Sequence, residues 1–248
     1  MLLDGKVALV TGGSRGIGRA TVLALARSGA QVTFGYNDSD EEAEEVRSEL
    51  GRLGQSARGI KADISIPTEA KRMVTEAIDH IGVPDILVNN AGAICQPSAW
   101  DSITDEVWNR TLGINLNGPY QMIRAVAPLM LQRRGGAIVN VSSTFGILGS
   151  AYVIAYTAAK AGVINMTRGF AKALAPTVRV NAIAPGIIDT SMTRAAGSDL
   201  VNALIADTPL RRVGTPEEIA QAIVFLSSGD ASFITGAVLV IDGGHSLK

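Results

Sequence analysis

Short apolar runs rich in valine and isoleucine recur along the chain: "KVALVT" from Lys6, "QVTFGY" from Gln31, "DILVNN" from Asp85, "AIVNVS" from Ala137, "VRVNAI" from Val178 and "AVLVI" from Ala237. They are nearly continuous rather than alternating, the pattern of strands buried on both faces of a parallel sheet. "ARGIKAD" from Ala57 reads as a weaker seventh strand. Helical stretches lie between them, for example Ile17 to Arg27 and Ser39 to Leu53, the latter opening with Ser39 and Glu42 in capping-box spacing. Alternating strand and helix imply right-handed crossovers and an α/β fold, a doubly wound parallel sheet of the Rossmann type with helices on both faces. No linker, repeat or low-complexity tract interrupts the pattern, so a single domain spanning 1–248 is expected. Glutamates 41, 42, 44 and 45 share their helix with Arg47 and Arg52 and read as a solvated face.

Composition narrows the partner. The 248 residues are 47% hydrophobic with a formal net charge of −1, enough for one full core and without an electrostatic footprint for nucleic acid or an anionic membrane. Cys95 is the one cysteine, and His80 and His245 lie far apart in sequence, so neither a disulfide framework nor a metal site is expected. No run approaches the roughly 20 apolar residues of a membrane span. A small-molecule partner and a reducing, cytoplasmic location follow as expectations.

The chemistry begins at "VTGGSRGIG", which follows the first strand and opens the first helix. Gly12, Gly16 and Gly18 give a tight turn, bare backbone for a phosphate and close helix–strand packing, while the helix start offers free N–H groups to a pyrophosphate. No lysine followed by Ser or Thr completes a nucleotide-triphosphate loop. A site preferring NAD usually carries an acid at the end of the second strand. Tyr36 occupies that position here. Arg15 stands at the helix start, where a cation is unfavourable unless an anion compensates it. The 2′-phosphate of NADP would be that anion, with Asn37 and Ser39 beside it. NADP is therefore the expected cofactor, with NAD as the alternative that Asp38 favours.

Tyr156 and Lys160, four residues apart in "AYTAAKAGV", lie one above the other on a helix. Ser142 and Ser143 end the fifth strand, at the edge where open α/β sheets bind ligands. A hydroxyl, a phenol and an ammonium converging beside a dinucleotide suit hydride transfer to or from a carbonyl. A free phenol titrates at about 10, and a nearby ammonium lowers it toward a usable acid and base. Lys160 would also reach the ribose, and Ser143 would stabilise the developing oxyanion.

"TGGSRGIG", "NNAG" (Asn89 to Gly92), "IVNVSS", "YTAAK" and "NAIAPG" (Asn181 to Gly186) resemble, in order and spacing, the short-chain dehydrogenases/reductases, over essentially the whole chain. The resemblance implies further roles. Its serine, thirteen residues before the tyrosine, selects Ser143 over Ser142. Asn115 matches an asparagine whose backbone helps hold a water in a proton relay, completing a catalytic set of Asn115, Ser143, Tyr156 and Lys160. Asn90, Ala91 and Gly92 flank the cofactor; Ser14, Ile17, Asp63 with Ile64, Pro185, Gly186, Ile188 and Thr190 complete the cofactor positions, with Asp63 near the adenine. A homotetramer is also implied.

Within that family the chain looks most like the 3-oxoacyl-(acyl-carrier-protein) reductases, which implies a 3-oxoacyl thioester as substrate, carried on acyl carrier protein or coenzyme A. Arg133 and Arg134 suit an acidic carrier or, equally, a solvated helix end. An NAD-dependent dehydrogenase of a sugar, polyol or other secondary alcohol is the alternative, and a nucleotide-binding regulator without turnover a remote one. The stretch from Thr190 to Arg212 is expected to form a lid, and Trp100 and Trp108 to be packing residues.

Overall fold

The computed structural model describes residues 1–95 and 99–247. Seven strands form one parallel sheet in the order β3-β2-β1-β4-β5-β6-β7: β1 Val7–Val10, β2 Gln31–Tyr36, β3 Arg58–Lys61, β4 Ile86–Asn89, β5 Gly136–Val141, β6 Val178–Pro185 and β7 Val238–Ile241. Every apolar run foreseen as a strand is one, including the weak run from Ala57.

The helices are α1 Gly16–Arg27, α2 Asp40–Arg52, α3 Pro67–Ile81, α4 Asp105–Leu112, α5 Gly118–Gln132, α6 Phe145–Leu148, α7 Ile154–Leu174, α8 Ser191–Ala195, α9 Ser198–Asp207 and α10 Pro216–Ser227. They split between the two faces, giving two cores. One gathers α1, α2 and α10 over the sheet, the other α3, α5 and α7. Strand periodicity divides β1 between them, Ala8 and Val10 entering the first core and Leu9 the second. Both faces are covered, which is why the strands read as unbroken apolar runs.

Sequence order reverses between β1 and β4, so a crevice opens beyond their carboxyl ends. α9 buries none of its residues and extends outside both cores. It lies where a lid is expected.

Local expectations fail at three places. Ser39 makes no capping hydrogen bond to α2; the capping box forms instead at α10, between Thr215 and Glu218. Trp100 is 76% exposed and Trp108 36%, so neither packs into a core. Arg133 and Arg134 follow α5, which feeds the amino end of β5, so within one chain they lie at the edge of the sheet opposite the crevice. Arg133 donates to the carbonyl of Val83 at 2.6 Å, and Arg134 takes a left-handed φ of 59°.

Among the described residues no helix is long and apolar enough to cross a membrane, and no group of three or more His, Cys, Asp or Glu could hold a metal ion.

Candidate active site

The turn from β1 into α1 builds the first wall of the crevice. Gly12 has φ +64°, and a Cβ there would lie 2.8 Å from the Cα of Ala91. A Cβ on Gly18 would stand 1.9 Å from the carbonyl oxygen of Gly12, so the first turn of α1 rests directly on the turn before it. The start of α1 has no side-chain cap and no acid in its first turn, leaving its N–H groups and dipole to an incoming anion.

The segment after β4 is tied to this turn. The Asn90 side chain donates to the carbonyls of Thr11 and Gly12, both at 3.0 Å, and the Thr11 hydroxyl accepts the backbone N–H of Asn90 and Ala91, also at 3.0 Å. Four hydrogen bonds thus fix the two segments at the switch point.

α7 supplies the reactive wall. Ser142 donates its hydroxyl to the carbonyl of Lys160 at 2.8 Å, locking α7 to the tip of β5. Ser143, next along, has its hydroxyl on the Tyr156 phenol. Local geometry therefore sets Ser142 as an anchor for α7 and turns Ser143 to the phenol. Lys160 is buried, donates to the carbonyl of Val141 at 2.8 Å and lies 5.5 Å from the centre of the Tyr156 ring.

One expectation is corrected here. Burial pushes the Tyr156 phenol up to about 12, outweighing the lowering effect of the Ser143 hydrogen bond, although part of the residue's surface stays open to the cavity. Burial also brings the Lys160 ammonium down to about 8. The ammonium sits over the ring face and bonds to the backbone, not to the phenol oxygen, so in the chain by itself it does not offset desolvation.

That burial has a measurable consequence. Lys160 titrates near 8 when folded and near 10.5 when unfolded, so between these values the unfolded chain binds more protons and stability rises with pH. The contribution, about 3 kcal/mol, is complete above the unfolded value and lost as pH falls through the folded one. The opposing loss from Tyr156 begins only above 10. Denaturant midpoints measured from pH 8 to pH 10 without added ligand should rise more in the wild type than in Lys160→Met. Parallel curves would contradict the assignment.

Asn115 sits in a π-helical turn, Gly113–Asn117, between α4 and α5. Fully buried, it donates to the carbonyls of Ala93 at 2.7 Å and Thr111 at 2.9 Å. Its side chain braces the segment after β4 and does not line the cavity.

A cavity of about 290 Å³ runs along the carboxyl ends of the strands. The glycine turn, with Ser14, Arg15 and Ile17, lines its middle; Tyr36, Asn37, Ser39, Asp63 and Ile64 line one end. Asn90, Ala91, Gly92, Ser143, Tyr156, Lys160, Pro185, Gly186, Ile188 and Thr190 line the other side. Every residue expected from the sequence to meet the cofactor or the reacting groups, Asn115 excepted, thus lines one cavity. Arg110, on α4, also lines it and was missed. Its partner Asp63 is 47 positions away, a pairing that no sequence spacing announces.

Comparison with known proteins finds relatives over nearly the full length of the chain. A family model described as enoyl-(acyl carrier protein) reductase matches residues 12–246. A 3-oxoacyl-(acyl-carrier-protein) reductase of Thermotoga maritima is 40% identical, the match covering 98% of this chain and 99% of that protein. An L-rhamnose 1-dehydrogenase (NAD(P)(+)) of a Sphingomonas species is 41% identical over 98% of this chain and 97% of its own length. Among solved structures, a short-chain dehydrogenase/reductase from Serratia marcescens superposes with a TM-score of 0.94 at 35% identity, covering 99% of this chain and 100% of that one. A blue fluorescent protein from a metagenomic library, solved in complex with NADPH, superposes with a TM-score of 0.92 at 37% identity, covering 99% and 100%. From fold, site and these full-length matches together, the chain belongs to the short-chain dehydrogenase/reductase family of oxidoreductases.

Proposed function

We propose that the protein is an NADP(H)-dependent reductase of 3-oxoacyl thioesters, carried on coenzyme A or acyl carrier protein. The observation that carries the reading is the meeting of Ser143, Tyr156 and Lys160 at one end of a cavity whose middle is a glycine turn and an uncapped helix start. The glycine turn and the first N–H groups of α1 would hold the pyrophosphate, and Lys160 the ribose next to the nicotinamide. When bound, the nicotinamide supplies the hydride.

Ser143 donates to the substrate carbonyl oxygen and stabilises the charge that develops there. Tyr156 gives its proton to that oxygen. A phenol held near 12 by burial is protonated at neutral pH, as a donor for reduction must be, and is still far more acidic than an alcohol. In the oxidative direction the same phenol would first have to lose its proton. Asn115 acts through the backbone around it, holding the segment after β4 in place.

Support for NADP comes from Arg15 and Ser39. The Arg15 side chain is exposed, lines the cavity and makes no ion pair or hydrogen bond among the described residues. The Ser39 hydroxyl, free of any capping bond, lines the same end. A 2′-phosphate would satisfy both. Tyr36, whose phenol is raised by burial and by its hydrogen bond to Asp40, brings no carboxylate to that position. Asn37 is already engaged, donating to Asp38 at 2.6 Å.

The 41% identical L-rhamnose 1-dehydrogenase favours a second reading, oxidation of a sugar with either cofactor. The experiment that separates them follows oxidation of NADPH and of NADH in the presence of an acetoacetyl thioester, in the wild type and in Arg15→Ala. We expect reduction with NADPH, and a loss of about ten- to a hundredfold in kcat/KM for NADPH in the variant with NADH little changed, since a charged hydrogen bond contributes about 1.5–3 kcal/mol. Equal losses with both cofactors would refute the 2′-phosphate contact. Inert thioesters together with oxidised L-rhamnose would refute the substrate.

The reading extends to a homotetramer. Phe233 is fully exposed, and Leu239 and Val240 are more than a third exposed on the edge strand β7, an apolar surface suited to a second copy. A sedimenting monomer at assay concentration would refute it.

A further inference from the structure

The cavity runs across the sheet from the tip of β3, where Asp63 stands, to the tip of β5, where Ser143 stands. Those tips are separated by four strand spacings, roughly 19 Å at about 4.8 Å each. If the reacting ring lies at Ser143 and Tyr156 and the pyrophosphate at the glycine turn between, the purine end falls beside Asp63.

The oxygens of Asp63 are unequally occupied. Oδ1 accepts the Ser65 backbone N–H at 2.9 Å and the Ser65 hydroxyl at 2.6 Å. Oδ2 accepts from Nη1 of Arg110 at 2.8 Å, and the same nitrogen donates to the Ser65 hydroxyl oxygen at 2.9 Å. Each carboxylate oxygen offers two lone pairs, so Oδ1 is filled and Oδ2 keeps one. Burial alone would raise this carboxyl, but Ser65 and Arg110 hold it below the ordinary carboxylate range. It is therefore an acceptor only, and its remaining lone pair is open to a donor.

We infer that Arg110 is a positioning residue: by fixing Asp63 it aims one free lone pair of Oδ2 at the 6-amino group of the dinucleotide's adenine, and so selects adenine over 6-oxopurine dinucleotides. The inference rests on the dinucleotide reading above. A 6-oxo group presents a lone pair of its own to the carboxylate, and the hydrogen bond becomes a repulsion. Without Arg110 only Ser65 holds the carboxylate, through Oδ1; Oδ2 can swing about that tether, and the two bases become nearly equivalent. If Arg110 merely tethered α4, its removal would weaken the site for every cofactor alike.

The test compares dissociation constants of NADPH and its hypoxanthine analogue by fluorescence titration of the full chain, in the wild type, Arg110→Met and Arg110→Lys. The wild type should prefer NADPH by about ten- to a hundredfold. Arg110→Met should bring the preference within about threefold, chiefly by weakening NADPH, and Arg110→Lys should restore part of it. An unchanged preference in Arg110→Met, or equal weakening of both ligands, overturns the inference. So does a wild type that binds both equally, which leaves the dinucleotide reading standing. A wild type that binds neither removes the dinucleotide reading and the inference together.

Discussion

Replacing Tyr156 by phenylalanine is expected to reduce turnover by about 10²–10⁴-fold while leaving NADPH affinity within about threefold, the range that positioned proton transfer contributes. The two effects separate because the substitution removes one oxygen and nothing that shapes the cavity. The ring stays in place beneath Lys160, whose hydrogen bond goes to the carbonyl of Val141. Ser143 keeps a partner, since its hydroxyl also accepts the backbone N–H of Phe145 at 3.1 Å. The glycine turn and the start of α1, where the pyrophosphate would sit, are untouched. Stopped-flow oxidation of NADPH with a fluorescence titration alongside reads both quantities. Turnover that survives in Tyr156→Phe would mean that the proton comes from elsewhere and that the roles assigned here are wrong. Loss of both turnover and binding would place Tyr156 in the cofactor's footing rather than in the chemistry.

Gly18→Ala is expected to lower stability by about 2–4 kcal/mol and to abolish measurable dinucleotide binding, through backbone that cannot give way. The new methyl would lie 1.9 Å from the Gly12 carbonyl oxygen and 2.5 Å from Nδ2 of Asn90. That nitrogen holds the carbonyls of Thr11 and Gly12, so relieving the clash breaks the ties that join the two sides of the switch point. The control is Gly51→Ala, inside α2, where a Cβ meets nothing within 4 Å. There the better helix propensity of alanine should stabilise the protein by up to about 1 kcal/mol. Denaturant unfolding of both variants, with NADPH titration of each, checks the contrast. A Gly18→Ala variant as stable as the wild type and still binding would show that the close approach of α1 is not required.

Much of this site is legible along the chain because it is local. The glycine turn, the serine at the strand end and the Tyr156–Lys160 pair are each set within a few residues, by φ, by strand position and by helical periodicity. The seven strands are legible for a related reason: a sheet covered on both faces demands apolar residues at every position, whatever the detailed packing. The family resemblance carried what spacing could not, pointing to the segment from Pro185 to Thr190, which lines the cavity, and to Asn115, which braces the segment after β4 from outside it.

What the sequence by itself determined, then, is the order of elements and most of the side chains that line the cavity. The tertiary structure decided how those groups are poised. Ser39 stands in capping spacing with Glu42, yet its hydroxyl is left to the cavity. Arg133 and Arg134 form a basic pair by sequence, yet they sit at the far edge of the sheet. Tyr156 and Lys160 share a helix face, but the balance between attraction and desolvation depends on what surrounds them, and burial moves both away from their charged forms. Arg110 and Asp63 meet only because the fold brings the Arg110 side chain of α4 to the segment that follows β3. The division follows from range: backbone geometry and apolar periodicity act between near neighbours, whereas burial, electric fields and pairings between distant segments exist only once the chain has closed on itself.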